Sequence, residues 1–219
     1  ALQAGATAAE AVISASGEPV VVTDRKTAPV VTERAGGRDW QVHAGDFWQV
    51  HPGAADALVD AVVDGLQPAP GERCWDLYAG VGVFAGALAE RVGAGGAVVA
   101  VESHRRPAES ARRNLADLEQ VRVVAERVDR FVRSRIAQGR LDVVVLDPPR
   151  AGAGAAVVHG ICKRRPRTIA YVACDPAALA RDLATLGQLG YQLVSLRALD
   201  IFPMTAHVEC VAVCERRPL

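Results

Sequence analysis

The sequence predicts an α/β fold: a doubly wound, mainly parallel sheet that ends in an antiparallel C-terminal hairpin and follows a short β-rich segment. Three observations support this prediction. Apolar strand-like runs alternate with segments of helical periodicity from residue 52 onward. A glycine-rich turn follows the first of these strands. Half of the 219 residues are hydrophobic, which is enough for a sizeable core.

The first 45 residues differ from the rest. Short β-type runs at 18–23 and 29–32 are separated by glycine and proline, and they are too few for a domain. We interpret residues 1–45 as the remnant of a neighbouring β-rich region, with the chain beginning part-way through it. Residues 46–219 are then the main domain.

The regular elements of the main domain follow from residue 52. Apolar positions recur at helical spacing in 54–66, with Pro52 near the first turn. The run at 141–146 is apolar throughout, as expected for a parallel strand buried on both faces. The predicted strands are 73–77, 97–101, 121–125, 141–146, 168–172, 191–199 and 207–214, and the predicted helices are 54–66, 83–91, one that ends near 118, and 176–189.

Charge gives no evidence for binding to nucleic acid. Lys+Arg and Asp+Glu both number 25, so the formal net charge is zero, and binding to RNA by charge alone is disfavoured. Basic clusters at 105–106, 112–113 and 163–167 are interpreted as solvated surface.

The cysteines and the hydropathy pattern indicate the compartment. The five cysteines are an odd number with no Cys-x-x-Cys pair, so we expect neither a disulfide framework nor a zinc or iron–sulfur site. Cys210 and Cys214 alternate onto one face of an apolar strand and are predicted core residues. No apolar run approaches ~18 residues without a break. The sequence therefore predicts a cytoplasmic protein without a membrane span.

The glycine-rich turn is the first candidate binding site. Gly80 and Gly82 permit a tight turn and close approach of the backbone to a ligand, and Glu102 ends the next strand, where a carboxylate can accept hydrogen bonds from ribose hydroxyls. The spacing also satisfies the dinucleotide fingerprint. Asp76 just before the turn would repel a pyrophosphate but tolerates a cationic sulfonium, so S-adenosylmethionine is favoured over a nicotinamide cofactor.

Cys174 is a candidate nucleophile. Asp175 suits a helix N-cap and Pro176 the first helical position, so Cys174 lies just before a helix N-terminus, which favours a thiolate. A buried structural cysteine is the alternative, and position alone does not decide between them.

Upstream, Asp147 and two prolines follow the fourth strand and form a rigid turn.

Glu209 is the second candidate catalytic residue. Strand alternation puts it and His207 on one face at the start of the last strand. Glu209 stands between the apolar Val208 and Val211, where a carboxylate is unusual unless it has a function or a charged partner. The alternative is a carboxylate in a salt bridge at a strand start.

Five motifs in one order resemble the RNA uridine-C5 methyltransferase family, from about Asp46 to the C-terminus. That family modifies transfer RNA and large-subunit ribosomal RNA, and its catalytic domain has the Rossmann-like sheet of class I methyltransferases. The motifs are Phe47-Trp-Gln-Val, Asp76-Leu-Tyr-Ala-Gly-Val-Gly, Asp147-Pro-Pro-Arg, Cys174-Asp-Pro-Ala-Ala-Leu-Ala-Arg-Asp and Phe202-Pro-Met-Thr-Ala-His-Val-Glu.

The resemblance implies a reaction and its residues. It implies methyl transfer from S-adenosylmethionine to carbon 5 of a uridine in RNA, with ribosomal RNA favoured over transfer RNA. Cys174 matches the family's nucleophile and Glu209 its general base. Residues that match cofactor contacts, together with the two turn glycines, are Gln49, Tyr78, Gly80, Gly82, Glu102 and Asp147.

Four positions depart from the family pattern. Val83, Asp175 and His51 stand where the family has Asn, and Ala206 replaces one of its His residues. These changes bear on cofactor affinity and substrate choice more than on the reaction. The rival interpretations are a methyltransferase acting on another base or a small molecule, and a non-catalytic RNA-binding fragment that keeps the fold.

Overall fold

A computed structural model describes residues 10–15, 17, 19–24, 27–202 and 204–218 of the chain. The part of the predicted β-rich remnant at residues 1–9, together with Glu18 and Pro203, lies outside the described residues.

The described residues form eleven strands and six helices. The strands are β1 (Glu10–Ile13), β2 (Pro19–Val22), β3 (Val30–Ala35), β4 (Arg38–His43), β5 (Arg73–Leu77), β6 (Ala97–Glu102), β7 (Val121–Ala125), β8 (Val143–Leu146), β9 (Thr168–Ala173), β10 (Tyr191–Leu199) and β11 (Glu209–Arg216). The helices are α1 (Ala54–Leu66), α2 (Val83–Val92), α3 (Arg105–Asn114), α4 (Val128–Phe131), α5 (Ala155–Cys162) and α6 (Pro176–Gln188).

Seven strands form one sheet in the order β10-β11-β9-β8-β5-β6-β7. The strands β5 to β9 pair in parallel, whereas β11 is antiparallel to both β9 and β10. The predicted doubly wound sheet with an antiparallel hairpin is therefore confirmed, and the last strand is inserted between β9 and β10. Strand order reverses between β5 and β8, and such a reversal opens a crevice at the carboxyl ends of the strands.

Several predicted boundaries were wrong. The helix expected to reach residue 118 ends at Asn114, because Leu115 and Leu118 continue the apolar pattern in a hydrogen-bonded turn. The final strand begins at Glu209 and not at 207. His207 lies outside it, where its amide donates to Thr205 Oγ1 at 3.2 Å and not to a neighbouring strand. The short helices α4 and α5 were missed.

The sheet separates two layers of core. Along β5, Cys74 packs with α1, α2 and the β3–β4 hairpin, while Trp75 faces the opposite layer with α5 and α6. Cys210 and Cys214 both lie in this second layer, as their spacing predicted. Within the part of the chain that the structure describes, no helix is long and apolar enough to cross a membrane.

The β3–β4 hairpin packs onto the main domain. Trp40 is 1% exposed, and its indole nitrogen donates to the carbonyl of Ala35 at 2.9 Å. A Cβ on Gly86 of α2 would lie 2.7 Å from the Trp40 ring, so the glycine makes room for the indole. Division of the chain near residue 45 stays a prediction, but this hairpin shares its core with α1 and α2.

Candidate active site

The glycine turn after β5 is shaped by backbone that few residues adopt. Tyr78, Gly80 and Gly82 all have positive φ, at 66°, 54° and 96°. Asp76 is fully buried beneath the turn, and its Oδ2 accepts from the amide of Ala85 at 2.8 Å. Burial, reinforced by the charge of Glu102, raises the pKa of Asp76 to about 7.

The position of Asp76 corrects one step of the sequence argument. Its carboxylate holds the start of α2 and is not among the residues that line the cavity described below. Repulsion of a pyrophosphate by this group is therefore weaker than the sequence suggested, and the choice of cofactor depends on the other residues.

Asn114 connects the turn to the hairpin. Its Nδ2 donates to the carbonyls of Val81 and Gln41, each at 3.2 Å, and its Oδ1 accepts from the amide of Gln41 at 2.9 Å. Three bonds from one nearly buried side chain fix the turn against β4. The sequence offered no signal for this contact, because the partners are 33 and 73 residues away.

Glu102 is held in place at the end of β6. Its Oε2 accepts from the amide of Gly80 at 3.0 Å, and its Oε1 accepts from the amide of His104 at 2.7 Å. The carboxylate is 7% exposed and lines the cavity. Oε1 also has Nδ1 of His104 and the Ser103 hydroxyl within 3.4 Å, whereas Oε2 accepts only from Gly80 among the described residues and has a lone pair left for a ribose hydroxyl.

One large cavity opens at the carboxyl ends of the parallel strands. Its volume is about 560 Å³, within the range of small-molecule sites. Seven of the eight predicted site residues line it: Gln49, Tyr78, Gly80, Glu102, Asp147, Cys174 and Glu209. The eighth, Gly82, does not line it. A Cβ there would lie 2.6 Å from Leu115, so this glycine serves packing of α2 against α3.

Cys174 is half-buried between β9 and α6. Asp175 caps the helix, with its Oδ1 accepting from the Ala178 amide at 2.7 Å, and Pro176 occupies the first turn, as predicted. The expected lowering of the thiol pKa is wrong: burial and the carboxylates of Glu209 and Asp147 raise it, although the Arg150 guanidinium lowers it. Burial is the largest of these effects, and the two acidic neighbours add to it.

Glu209 opens β11 opposite Cys174. The Cα partners Cys210 and Ala173 end the β11–β9 ladder, and one further step brings Glu209 level with Cys174. Glu209 is 3% exposed, and its Oε1 has no hydrogen-bond partner among the described residues. Burial raises the pKa of Glu209 to about 7. The structure shows no salt bridge for this carboxylate within the described residues.

Asp147 and Arg150 belong to the turn after β8. Asp147 is half-buried, and burial together with the charges of Glu209 and Asp76 raises its pKa well above the usual value. Arg150 is exposed at the cavity, where its Nη2 lies 3.2 Å from Nε2 of His207. His207 thus reaches the cavity from the loop before β11, although it is not on the strand.

An ion pair in the cavity wall was missed by sequence reasoning. The Arg106 guanidinium binds both carboxylate oxygens of Asp46, with Nε 2.9 Å from Oδ2. Asp46 lines the cavity, and the Arg106 side chain is 32% exposed. The cluster at 105–106 is therefore only partly solvated surface. Opposite charges 60 residues apart gave no local signal.

Two polar atoms at the cavity have no protein partner. Gln49 Oε1 and Glu209 Oε1 are both buried, and neither has a hydrogen bond with the described residues. Unsatisfied buried acceptors are uncommon in folded proteins, and these two can accept a hydrogen bond from a ligand or a water in the cavity. Space beside Gly80 is also open, since a Cβ there would meet no atom within 4 Å.

A family model described as tRNA (uracil-5-)-methyltransferase matches residues 40–217. An uncharacterized RNA methyltransferase of Streptomyces coelicolor is 54% identical over 187 residues, which cover 85% of this chain and 41% of that protein. A 23S rRNA (uracil(1939)-C(5))-methyltransferase of Klebsiella pneumoniae is 41% identical over 177 residues, which cover 78% of this chain and 39% of that protein. The chain thus spans about two-fifths of the length of these relatives.

Solved structures agree with the family match. The tRNA (uracil-54, C5)-methyltransferase of Pyrococcus abyssi, in complex with S-adenosyl-L-homocysteine, superposes with a TM-score of 0.69 at 32% identity, covering 90% of this chain and 46% of that one. An S-adenosylmethionine-dependent O-methyltransferase of Thermotoga maritima superposes with a TM-score of 0.62 at 14% identity, covering 95% and 92% of the two chains. The second likeness shows the fold alone.

Proposed function

The chain belongs to the tRNA (uracil-5-)-methyltransferase family, and we propose that it transfers a methyl group from S-adenosylmethionine to carbon 5 of a uridine in RNA. In this proposal Cys174 is the nucleophile and Glu209 the general base. The observation that carries it is the placement of Glu209 opposite Cys174 in one cavity with Glu102 and Gly80.

The residues at the cavity fit S-adenosylmethionine. Glu102 is preoriented to accept from ribose hydroxyls, and Gly80 leaves space beside the turn. The unpartnered Oε1 of Gln49 suits a donor such as the ammonium of an amino-acid tail. Asp147 and Glu209 both line the cavity, and a bound sulfonium would favour the ionised form of their carboxyls. When bound, the cofactor supplies the methyl group that carbon 5 acquires.

Cys174 makes carbon 5 nucleophilic. Its sulfur, as a thiolate, attacks carbon 6 of uracil, and the resulting C–S bond leaves an enolate with negative charge shared by carbon 5 and oxygen 4. The raised pKa of the Cys174 thiol means that attack requires loss of a proton, and Arg150 is the cation that favours this loss. The uridine must leave its stack to reach the cavity.

Glu209 completes the reaction. After carbon 5 has been methylated, the Glu209 carboxylate removes the proton from that carbon, the electron pair restores the ring double bond, and the C–S bond breaks to release thiolate. A carboxyl with a pKa of about 7 suits a group that accepts a proton and then returns it to solvent near neutral pH.

Ribosomal RNA is the favoured substrate over transfer RNA. Identity to the Klebsiella pneumoniae relative named for 23S rRNA is 41%, compared with 32% to the Pyrococcus abyssi enzyme named for tRNA. The neutral net charge suggests that this catalytic part contributes little general attraction to RNA.

The test is a covalent trap. The protein is mixed with S-adenosylmethionine and 5-fluorouridine-containing 23S rRNA fragments or transfer RNA, and denatured samples are analysed by intact mass. Since fluorine cannot leave as a proton, the proposal expects a protein–RNA adduct carrying one methyl group, absent in Cys174→Ala. Ribosomal fragments should form it faster than transfer RNA.

Other outcomes separate the rival functions. Cofactor binding by calorimetry with no adduct on any RNA, combined with methylation of another base in digested product, would identify a different methyltransferase. Absence of cofactor binding together with retained binding to RNA would support a non-catalytic RNA-binding protein.

A further inference from the structure

A buried carboxylate outside the cavity grips the loop that follows β8. Asp182 of α6 is 5% exposed, and its Oδ2 accepts from the Tyr171 hydroxyl at 2.6 Å, from the Ala153 amide at 2.8 Å and from the Gly154 amide at 3.2 Å. The Ala153 amide also lies 2.9 Å from the Tyr171 hydroxyl. These groups form one closed network, which we call the Asp182 clamp.

The loop, residues 147–154, is shaped around the clamp. It begins with the Asp147 amide bonded to the carbonyl of Leu77 at 3.2 Å, and it turns where the Gly152 amide donates to the carbonyl of Pro149 at 2.8 Å. Gly152 has a φ of 84°, and a Cβ there would lie 2.9 Å from Oδ2 of Asp182. The backbone at Gly152 therefore lies closer to the Asp182 carboxylate than a residue with a side chain would allow.

The clamp joins the two halves of the reaction centre. Residues 147–150 of the loop line the cavity on one side. On the other side, α6 begins two residues after Cys174, and Asp182 lies about two turns into this helix. The bonds from Asp182 of α6 to the loop thus set the separation between the Cys174 sulfur and the loop. Asp182 itself does not line the cavity.

We propose that Asp182, acting with Tyr171, is a positioning residue. It holds the 147–154 loop at a fixed position relative to Cys174, so that the Cys174 sulfur can attack the uracil ring. This inference rests on the proposed function. Buried donors that lose their acceptor move or take up water. A shift of the loop by about 1 Å can slow a reaction about 100-fold, because reacting groups must be aligned.

The first measurement is the single-turnover rate of adduct formation with 5-fluorouridine RNA. Asp182→Ala should slow it by about tenfold to a hundredfold, whereas Asp182→Asn, which retains an acceptor oxygen, should recover most of the rate. The Kd for S-adenosylmethionine should stay within about twofold in both variants, since Gly80 and Glu102 are held by other bonds and Asp147 stays bonded through its amide to Leu77.

A matched pair of tyrosines separates positioning from general stability. Tyr171 and Tyr191 are both buried, and the Tyr191 hydroxyl donates to the carbonyl of Pro166 at 2.8 Å, away from the cavity. Tyr191→Phe removes one bond donated by a buried hydroxyl. Tyr171→Phe removes one such bond, to Asp182, and the contact from the Ala153 amide, which keeps Asp182 as an acceptor. Both should lower the thermal midpoint by a few degrees, but only Tyr171→Phe should slow adduct formation.

Hydrogen exchange adds a readout that does not depend on activity. The amides of Ala153 and Gly154 should exchange faster than in wild type in Asp182→Ala and in Tyr171→Phe. Their exchange rates should be unchanged in Tyr191→Phe. Unchanged exchange of both amides would overturn the clamp. Equal adduct rates in Tyr171→Phe and wild type, or equal slowing by the two tyrosine variants, would overturn the positioning role. If wild type formed no adduct while exchange responded as expected, the proposed function would fail and the clamp would be purely structural.

Discussion

Glu209 is the first residue of β11 and Cys174 directly follows β9, each one step beyond the last strand partners, Cys210 and Ala173, and both line the cavity. Residues that face each other in an antiparallel pair of strands have Cα atoms about 4.5–5.5 Å apart. A base and a nucleophile can then act on adjacent atoms of one ring. Burial leaves Glu209 Oε1 without a partner among the described residues, which keeps it available to accept a proton.

Replacement of the base should trap the enzyme. With unmodified uridine RNA, Glu209→Gln should transfer one methyl group and then remain bonded to RNA through Cys174, because no carboxylate removes the proton from carbon 5. Multiple turnover should fall at least about 100-fold, while a denaturation-resistant methylated adduct accumulates on gels. The double variant with Cys174→Ala is the control and should form none. Wild-type turnover by Glu209→Gln would show that another group is the base.

Glu209 should make stability depend on pH. Its pKa is about 7 in the folded protein, against 4.5 as the ordinary value. Between these values the folded state holds a proton that the unfolded state has lost, so the free energy of unfolding falls as pH rises. Relative to Glu209→Gln, wild type should lose roughly 2 kcal/mol between pH 5 and pH 8. Urea unfolding of both proteins at the two pH values measures this difference.

The comparison with Glu209→Gln removes the contribution of Asp76. Asp76 also has a raised pKa and contributes to the slope in both proteins, so its effect cancels in the difference. Asp147 interacts with Glu209, so the difference includes the change in the pKa of Asp147 that follows from removing the Glu209 charge. A difference that stays constant with pH would mean that Glu209 is ionised in the folded protein throughout this range.

The two turn glycines should respond differently to alanine. Gly82→Ala places a methyl group 2.6 Å from Leu115 at a φ of 96°, so it should lower the free energy of unfolding by about 2–4 kcal/mol. Gly80→Ala meets no atom within 4 Å and should cost about 1 kcal/mol, but its methyl group should weaken cofactor binding. Chemical unfolding and calorimetry measure the two effects.

Gly139→Ala is the control for backbone strain alone. Gly139 has a φ of 108°, has no atom within 4 Å of an added Cβ and does not line the cavity. It should lose at least as much stability as Gly80→Ala, because a φ of 108° is further from the left-handed region that alanine can adopt. It should bind S-adenosylmethionine like wild type. Equal cofactor affinity in Gly80→Ala and Gly139→Ala would remove Gly80 from the binding site.

Loss of the Glu102 carboxylate should weaken cofactor binding. Glu102→Ala removes an acceptor that is preoriented by the amides of Gly80 and His104, so the Kd for S-adenosylmethionine should rise about tenfold to a hundredfold. Glu119→Ala, which removes an exposed carboxylate that does not line the cavity, should leave the Kd unchanged. Titration calorimetry distinguishes the two, and an unaltered Kd in Glu102→Ala would contradict the role.

Local patterns were enough to predict much of the fold. The bounds of α1, β5, β7 and β10 agree with the periodicity, because in each case a regular apolar pattern ends at a turn signal. The cap at Asp175 was also predictable, since a side chain that bonds an amide three residues later is a local interaction. Predictions failed where turns continued an apolar pattern, as after Asn114.

The sequence by itself determined the succession of strands and helices and the glycine turn, because these depend on neighbours along the chain. Its resemblance to a family, and not position alone, pointed to Cys174 and Glu209 as candidate nucleophile and base. Only the tertiary structure decided that β11 enters between β9 and β10, which brings Glu209 to Cys174. It alone revealed the contacts of Asn114 and Asp182, and the rise in the pKa of Cys174. Such effects arise from burial and from partners distant in sequence, where packing and desolvation outweigh local preference.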